Sequence, residues 1–358
     1  MASPQSDWAK IYPWTKAPVI CNGPMRLIAL APLATAVSAA GGIGFLGAGS
    51  DASTLSSMLS ATRDEIAKCP NLAQYMETAN ILPVGVGFLL WAGEDLLQAA
   101  LPILEEYQPA AVWLFAPSEP SQPKRWCDEL RRVTRGRTQL WMQIGTVAAA
   151  LAAVRDAKPD VLVIQAVDAG GHGLQYGSGL VSLVPEVHDR ISEFCAENGQ
   201  KMPLLVTAGG IMDSRGAAAS LILGASGVCM GTRYLCSHEA EIAKGYQNAV
   251  LAASDGGVST ARSKLYDSLR GTSDWPKEYG GRGVLNASWH DAQSGMTFEE
   301  NKKLYDQAME RGNEGWIGDK ARLTTYAGSG VGLVNEVQGA GIITTEVRQG
   351  AKRLLKIT

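Results

Sequence analysis

Eight short apolar runs alternate with helix-forming stretches over the first two thirds of the 358-residue chain. Because neighbouring parallel strands need long crossover connections, this alternation predicts a parallel α/β sheet. Eight such units within about 230 residues favour a closed (β/α)8 barrel, a TIM barrel, over an open doubly wound sheet. The predicted strands are Pro18–Cys21, Ile43–Leu46, Leu82–Leu89, Ala110–Phe115, Gln139–Ile144, Val161–Gln165, Pro203–Thr207 and Gly227–Met230.

The pattern changes after the eighth run, and the change predicts a second domain. The rest of the chain shows helical stretches and loops but no convincing further set of strands. Thr297-Phe-Glu-Glu300 matches a capping box and predicts a helix to about Arg311, whereas Ser254–Gly295 predicts a long irregular connection. We therefore expect a (β/α)8 barrel over residues 1–235. A smaller, mainly helical domain over 236–358 would cover the barrel mouth, and its last helices could pack back on the barrel.

Composition indicates a cytoplasmic globular protein that binds neither nucleic acid nor membrane. The net charge of −3 lacks the clustered Lys and Arg of a nucleic-acid surface. The charge-free stretch Leu27–Ser50 is long enough to span a bilayer, but Pro32 and several glycines break it too often to insert. Six cysteines form no C-x-x-C pair and no metal-ligand spacing with the four histidines, so we expect reduced thiols and no metal.

A histidine surrounded by glycines follows the sixth predicted strand. After Val161–Gln165 come Gly170, Gly171 and Gly173, with His172 between them. Paired glycines let the backbone approach a ligand closely or adopt a positive φ. A residue just past the carboxyl end of a barrel strand lies where (β/α)8 proteins place their chemistry, so His172 is the candidate catalytic residue. The alternative is a glycine-rich turn with an exposed histidine. Asp168 could pair with His172 or cap the loop.

Two glycine motifs end the last two predicted strands. They are Thr207-Ala-Gly-Gly-Ile211 and Cys229-Met-Gly-Thr232. In (β/α)8 proteins the loops after strands seven and eight commonly bind phosphate through backbone N–H groups and a helix N-terminus. The pair favours a phosphorylated ligand over two ordinary tight turns. The candidate binding residues here are Ala208, Gly209, Gly210, Met230, Gly231 and Thr232.

A third motif, Cys21-Asn-Gly-Pro-Met25, follows the first predicted strand. Asn22 offers hydrogen bonds, Gly23 shapes a turn, and Met25 could lie against a flat ring. By contrast, Gly42-Ile-Gly-Phe-Leu-Gly47 matches the dinucleotide pattern in the wrong context, since it follows a helical stretch and leads into a strand. No G-x-S-x-G motif supports a nucleophilic triad.

Taken together, these motifs resemble the nitronate monooxygenase family of FMN-dependent (β/α)8 proteins with a helical second domain. The family's Gln-Gly-x-Glu-Ala-Gly-Gly-His run is matched at Gln165 and at residues 169–172. Ala-Gly-Gly-Ile at 208–211, Gly-Ala-Ser-Gly-Val at 224–228 and Gly-Thr-Arg-Tyr at 231–234 follow the family order. Asn22-Gly-Pro-Met25 is similar to its first motif, and Tyr326-Ala-Gly-Ser-Gly-Val-Gly-Leu333 to a late one.

The resemblance implies FMN as the cofactor and His172 as the catalytic base. The residues that it implies for binding the flavin and its phosphate are Gln165, Gly170, Gly171, Gly209, Gly210, Gly231 and Thr232. Gln143 and the candidates named above complete the predicted cofactor-binding set. The implied reaction removes the proton α to a nitro group, and the nitronate then passes an electron to FMN, with O2 completing the turnover. The expected partners are a small-molecule substrate and O2, and the chain could form a homo-oligomer.

The chain departs from the family pattern on the substrate side. Ala166 and Asp168 replace the usual Gly and Glu, and Gly87 and Ser329 stand where Asn and Gln are expected. The natural substrate is therefore left open. One alternative is an NAD(P)H-dependent quinone or ene reductase on the same scaffold. Another, from a different class, is a barrel that only binds a phosphorylated metabolite.

Overall fold

A barrel of eight parallel strands lies at the centre of the computed structural model, which describes residues 4–356. Its strands are hydrogen bonded in the order β1-β9-β8-β6-β5-β4-β3-β2, and a bridge between Cys21 and Ile43 joins the two end strands. The predicted (β/α)8 fold is thereby confirmed. The barrel strands are β1 (Val19–Asn22), β2 (Phe45–Gly49), β3 (Leu82–Leu89), β4 (Pro109–Phe115), β5 (Gln139–Ile144), β6 (Val161–Gln165), β8 (Leu204–Ala208) and β9 (Gly227–Met230), whereas β7 (Gly171–Leu174) lies outside the barrel.

Amphipathic helices cover the outside of the barrel. In α5 (Glu94–Tyr107), Leu97, Leu101 and Leu104 recur on one helical face and are buried against the strands. Burial of such faces supplies the main stabilisation of the barrel. The other surrounding helices are α2 (Ala31–Ala39), α3 (Leu55–Ala67), α4 (Pro70–Ala79), α6 (Gln122–Val133), α7 (Val147–Ala152, extended by one π turn), α8 (Leu180–Glu197) and α9 (Ser214–Ile222).

An amino-terminal helix, α1 (Pro4–Ile11), closes the end of the barrel at which the strands begin. Trp8 and Tyr12 are buried with Trp141 in one apolar cluster inside the barrel. The indole N–H of Trp8 donates to the carbonyl of Ser226 (2.9 Å), and that of Trp141 donates to the hydroxyl of Tyr12 (2.8 Å). Aromatic side chains therefore fill this end of the barrel.

A second, antiparallel sheet joins β7 to two strands from the last third of the chain. Its order is β10 (Thr260–Ser263), β11 (Tyr279–Val284), β7. The expectation of an irregular connection over Ser254–Gly295 was therefore wrong; the segment also contains α12 (Gly256–Ser259), α13 (Leu265–Arg270) and α14 (Ala287–Gln293). Because β7 and β11 are short and rich in glycine, they lack the alternating apolar pattern by which strands are recognised.

The remaining helices are α10 (Thr232–Leu235), α11 (Lys244–Ala252), α15 (Phe298–Glu310) and α16 (Ala340–Leu355). The capping box before α15 is confirmed, since Thr297 Oγ1 accepts from the Glu300 amide (3.3 Å) and the Glu300 carboxylate accepts from the Thr297 amide (3.2 Å). α16 packs against α9 and α2. The domain boundary at residue 235 remains a prediction. No helix within the described range combines the length and the apolar character needed to cross a bilayer.

Candidate active site

A cavity of about 850 Å³ opens at the carboxyl ends of the barrel strands. Strand ends contribute Trp113, Gln143 and Gln165 to its wall, and the chain beyond the barrel contributes aromatic residues such as Tyr246 and Trp316. In (β/α)8 proteins this end of the barrel carries the active site. Most of the predicted site residues line this one cavity: Gly23, Met25, Gln143, Gln165, Gly170, Gly171, His172, Ala208, Gly209, Gly210, Gly231 and Thr232.

Two predicted cofactor contacts, Asn22 and Met230, are absent from the cavity wall. The Asn22 side chain is fully buried; its Nδ2 donates to the carbonyl of Phe45 (2.8 Å) and its Oδ1 accepts from the Phe45 amide (2.9 Å). It thus joins β1 to β2. Successive side chains of a strand point to opposite faces, so Cys229 lines the cavity while Met230 packs outward with Leu33. That Asn22 and Met230 bind the cofactor remains a prediction, which the positions of their side chains do not support.

The glycine motifs form an open cradle along one side of the cavity. Gly209 (φ +105°), Gly210 (φ +75°) and Gly171 (φ +63°) adopt backbone angles that favour glycine. A Cβ at Gly171 or at Gly231 would meet no other atom within 4 Å, so these positions leave open space beside the backbone. The amides of Gly210 and Gly231 have no acceptor within residues 4–356 and are available to a ligand. This cradle can accept a phosphate.

His172 is held by contacts on its edge and on its face. It lies in β7 opposite Gly281, and its side chain is 14% exposed. Its Nε2 lies 2.8 Å from Asp267 Oδ1, which also accepts a hydrogen bond from the Tyr326 hydroxyl (2.6 Å). The imidazole stacks on Trp275, with ring centroids 3.7 Å apart and planes 3° apart. An exposed histidine in a loose turn is thereby ruled out.

Asp168 does not pair with His172. Its Oδ1 accepts from the Ser329 hydroxyl (2.8 Å), and its backbone carbonyl accepts from the Ser329 amide (3.0 Å). Two of the departures from the family pattern therefore contact each other. A third departure, Gly87, lines the cavity beside Pro24, whose side chain a Cβ at position 87 would overlap. No motif in the sequence marks Asp267 or Trp275 as partners of His172.

A half-buried arginine holds the loop before His172. Arg262 donates to the carbonyls of Val167 (3.1 Å), Ala169 (2.6 Å) and Gly171 (2.8 Å). Burial lowers the pKa of Arg262 to about 10, so the group remains a cation at neutral pH. From the other side, Gln165 Nε2 donates to the carbonyl of His172 (3.0 Å). These contacts fix the backbone on which the candidate base is mounted.

One further cation and several aromatic rings complete the wall. The Arg270 guanidinium lies over the ring of Tyr326, 5.5 Å from its centroid, and forms no ion pair with any residue that the structure describes. Trp275 also lies near Trp91 and Phe115, with ring centroids 5.7 Å and 6.1 Å away. The site therefore offers a proton acceptor, a cation and an apolar surface. Such a combination suits a small organic anion and its neutral conjugate acid.

The closed barrel, the glycine cradle and the held histidine together define a (β/α)8 protein with its candidate active site at the carboxyl ends of the strands. Residues 111–294 match the family model described as "Nitronate monooxygenase". The nitronate monooxygenase npaC of Metarhizium robertsii is 42% identical over 350 residues, which cover 97% of this chain and 94% of that protein. A nitronate monooxygenase of Neurospora crassa is 39% identical over 357 residues, covering 96% and 92%.

The chain belongs to the nitronate monooxygenase family. It is an oxidoreductase of that type, and its cofactor is FMN. The fold is shared with a solved structure of nitroalkane oxidase from Streptomyces ansochromogenes, with a TM-score of 0.69 at 20% identity, covering 97% of this chain and 98% of that one.

The cavity fits this cofactor. Its volume of about 850 Å³ lies in the range of roughly 300–1,000 Å³ that is usual for cofactor sites. Open space beside Gly171 and Gly231 lets a ligand approach the backbone, and the amides of Gly210 and Gly231 can donate to phosphate oxygens. Gln143 and Gln165 contribute side-chain amides to the same wall.

Proposed function

We propose that the protein oxidises a nitronate, or the nitroalkane from which that nitronate forms, with O2 as the second substrate. The observation that carries this proposal is the environment of His172. One nitrogen of the ring is held by the buried Asp267, while the ring lines the cavity beside an unpaired cation, Arg270. A base next to a cation suits a reaction that converts a neutral carbon acid into an anion.

Bound FMN supplies the electron-accepting chemistry, and the chain supplies position, charge and proton transfer. The glycine cradle, with Gly23, Met25, Gln143, Gln165, Ala208 and Thr232, would hold the cofactor at the strand ends. His172 would take the proton α to the nitro group. Arg270 would attract the nitronate oxygens, and the Trp275 side chain would exclude water from one face of the imidazole.

The test of the base is His172→Ala assayed with two substrates. With a neutral nitroalkane the rate should fall by about 10²–10⁴-fold, because removing a general base typically costs that much. Oxidation of a preformed nitronate needs no proton removed and should suffer less. FMN content should stay near wild type. His188→Ala is the matched control, because His188 also pairs with an aspartate, Asp189 (3.0 Å), but lies outside the cavity.

Equal and small effects on both substrates would contradict the role of His172 as a base. Loss of FMN from His172→Ala would give the residue a structural role instead.

The reductase alternative is decided by mixing the protein anaerobically with NADH or NADPH and following the flavin absorption. We expect slow bleaching or none, because the sequence has no dinucleotide fingerprint in the right context. Fast bleaching would favour an NAD(P)H-dependent quinone or ene reductase. A purified protein that stays colourless after reconstitution with FMN would favour the barrel that only binds a phosphorylated metabolite. A cytoplasmic location and a homo-oligomeric state remain predictions.

A further inference from the structure

The hydrogen bond between Asp267 and His172 bears on which ring nitrogen can act as a base. Asp267 is 3% exposed and comes from α13, 95 residues further along the chain. Its Oδ1 accepts from the Tyr326 hydroxyl at 2.6 Å, and His172 Nε2 lies 2.8 Å from the same oxygen. A buried carboxylate is stable when such donors surround it.

Tyr326 acts as a donor in this network. Burial, followed by the nearby charge of Asp267, raises the pKa of Tyr326 well above its ordinary value, so the phenol stays protonated. An ionised Asp267 can only accept hydrogen bonds, so His172 Nε2 must carry a proton in order to bond to it. The neutral ring therefore has its lone pair on Nδ1, which has no hydrogen-bond partner within residues 4–356.

We propose that Asp267 is a positioning residue that holds His172 in the Nε2–H tautomer, so that Nδ1 is the atom that takes the substrate's proton. This inference rests on the proposed function. In the step, the C–H bond α to the nitro group breaks, its electron pair stays on the substrate as the nitronate, and the proton moves to Nδ1. The ring becomes an imidazolium with both nitrogens protonated, and no further reactant is needed.

Two groups contact the imidazole of His172 directly. Asp267 places a negative charge at one edge, and Trp275 presents an aromatic face at 3.7 Å, which attracts a cation. The cations nearby are Arg270, which lies over Tyr326, and Arg262, which donates to the carbonyl of Gly171. The contacts of these two arginines are with other groups, whereas Asp267 contacts the imidazole directly.

The direct test is NMR of the holoenzyme labelled with ¹⁵N-histidine, with the His172 signals identified by their loss in His172→Gln. We expect a proton on Nε2 and none on Nδ1 in the wild type at a pH at which the ring is neutral. Asp267→Asn should weaken this preference, whereas the control Asp189→Asn, in the exposed His188–Asp189 pair, should leave it unchanged. A wild-type ring protonated on Nδ1 would overturn the inference without any variant.

Kinetics provide the second readout. Asp267→Asn should lower the rate with a nitroalkane by about 10²–10⁴-fold, as expected for a base that loses its orienting carboxylate. It should affect a preformed nitronate less. Asp267→Glu, which keeps the carboxylate, should recover part of the rate. Tyr326→Phe should have a smaller effect than Asp267→Asn. Tyr234→Phe, whose buried hydroxyl pairs with Thr344 away from the cavity, should have almost none.

The outcomes separate this inference from the proposed function. A defect in His172→Ala without a defect in Asp267→Asn would overturn the positioning role and leave the proposed function intact. A nitroalkane rate unaffected by His172→Ala would overturn the proposed function and the proton step together. FMN content and thermal unfolding, measured on each variant, identify a variant that fails to fold, and in that case the wild-type tautomer decides.

Discussion

The indole of Trp275 lies flat on the imidazole of His172, with ring centroids 3.7 Å apart and planes 3° apart. One face of the candidate base is therefore covered by an aromatic ring, while Asp267 holds its edge. The two contacts restrict both the tilt and the rotation of the ring. A base held in this way keeps its acceptor nitrogen in one position, which is what proton transfer requires.

Replacing Trp275 tests the stack. Aromatic pairs contribute about 0.5–1.5 kcal/mol beyond their buried area, so Trp275→Leu should lower the nitroalkane rate by up to about tenfold. Trp275→Phe keeps a ring against the imidazole and should lose less. Trp289→Leu, outside the cavity wall, serves as the control. A steady-state rate for Trp275→Leu equal to wild type would show that the stack does not position His172.

The glycine cradle is tested by Gly231→Ala. Gly231 has an ordinary negative φ of −104°, and a Cβ there meets no atom within 4 Å, so the chain should fold normally. The methyl group would stand in the space assigned to the cofactor. We expect purified Gly231→Ala to contain less FMN and to bind added FMN several-fold more weakly.

Gly257→Ala is the matched control, because its Cβ would also find room but lies away from the cavity. Absorption at the flavin band and thermal unfolding measure the two effects separately. Full flavin content in Gly231→Ala would place the cofactor elsewhere in the cavity.

Arg270→Gln tests whether the unpaired cation attracts the anionic substrate. A charge-assisted contact contributes about 1.5–3 kcal/mol when it is desolvated and less when exposed, so KM for a nitronate should rise several-fold. KM for the neutral nitroalkane should change little. Arg63→Gln is a matched control, because Arg63 lies over Tyr107 at 5.0 Å in a similar cation–π contact outside the cavity. Equal shifts in both KM values would argue against a charge effect.

The closed end of the barrel is tested by Tyr12→Phe. This change leaves the buried indole N–H of Trp141 without its acceptor, which should lower the free energy of unfolding by about 1–3 kcal/mol. FMN content should be unaffected, since Tyr12 lies at the opposite end from the cavity. Urea denaturation measures the loss. Tyr75→Phe, whose hydroxyl forms no hydrogen bond within the described residues, should cost little by comparison.

The eight barrel strands were predictable because each is a short apolar run. A strand that is buried on both faces consists mostly of apolar residues, so its own sequence indicates it. The helix after Thr297 was predictable for a similar reason, since its capping box spans four consecutive residues. The antiparallel strands β7 and β11 were not, because glycine and arginine replace the apolar alternation there. Asn22 and Met230 were predicted to bind the cofactor because they belong to motifs at strand ends. A motif does not indicate to which face of the strand each side chain points.

The amino-acid sequence alone determined the barrel, the glycine cradle and the place of His172 at the end of a strand, because each depends on residues close together in the chain. Only the tertiary structure decided the partners of that histidine. Asp267 lies 95 residues from His172 in sequence, and Tyr326 lies a further 59 residues beyond Asp267. Side chains so far apart in sequence come into contact only when whole helices and strands pack together. The short-range patterns that specify strands and turns therefore do not predict such contacts.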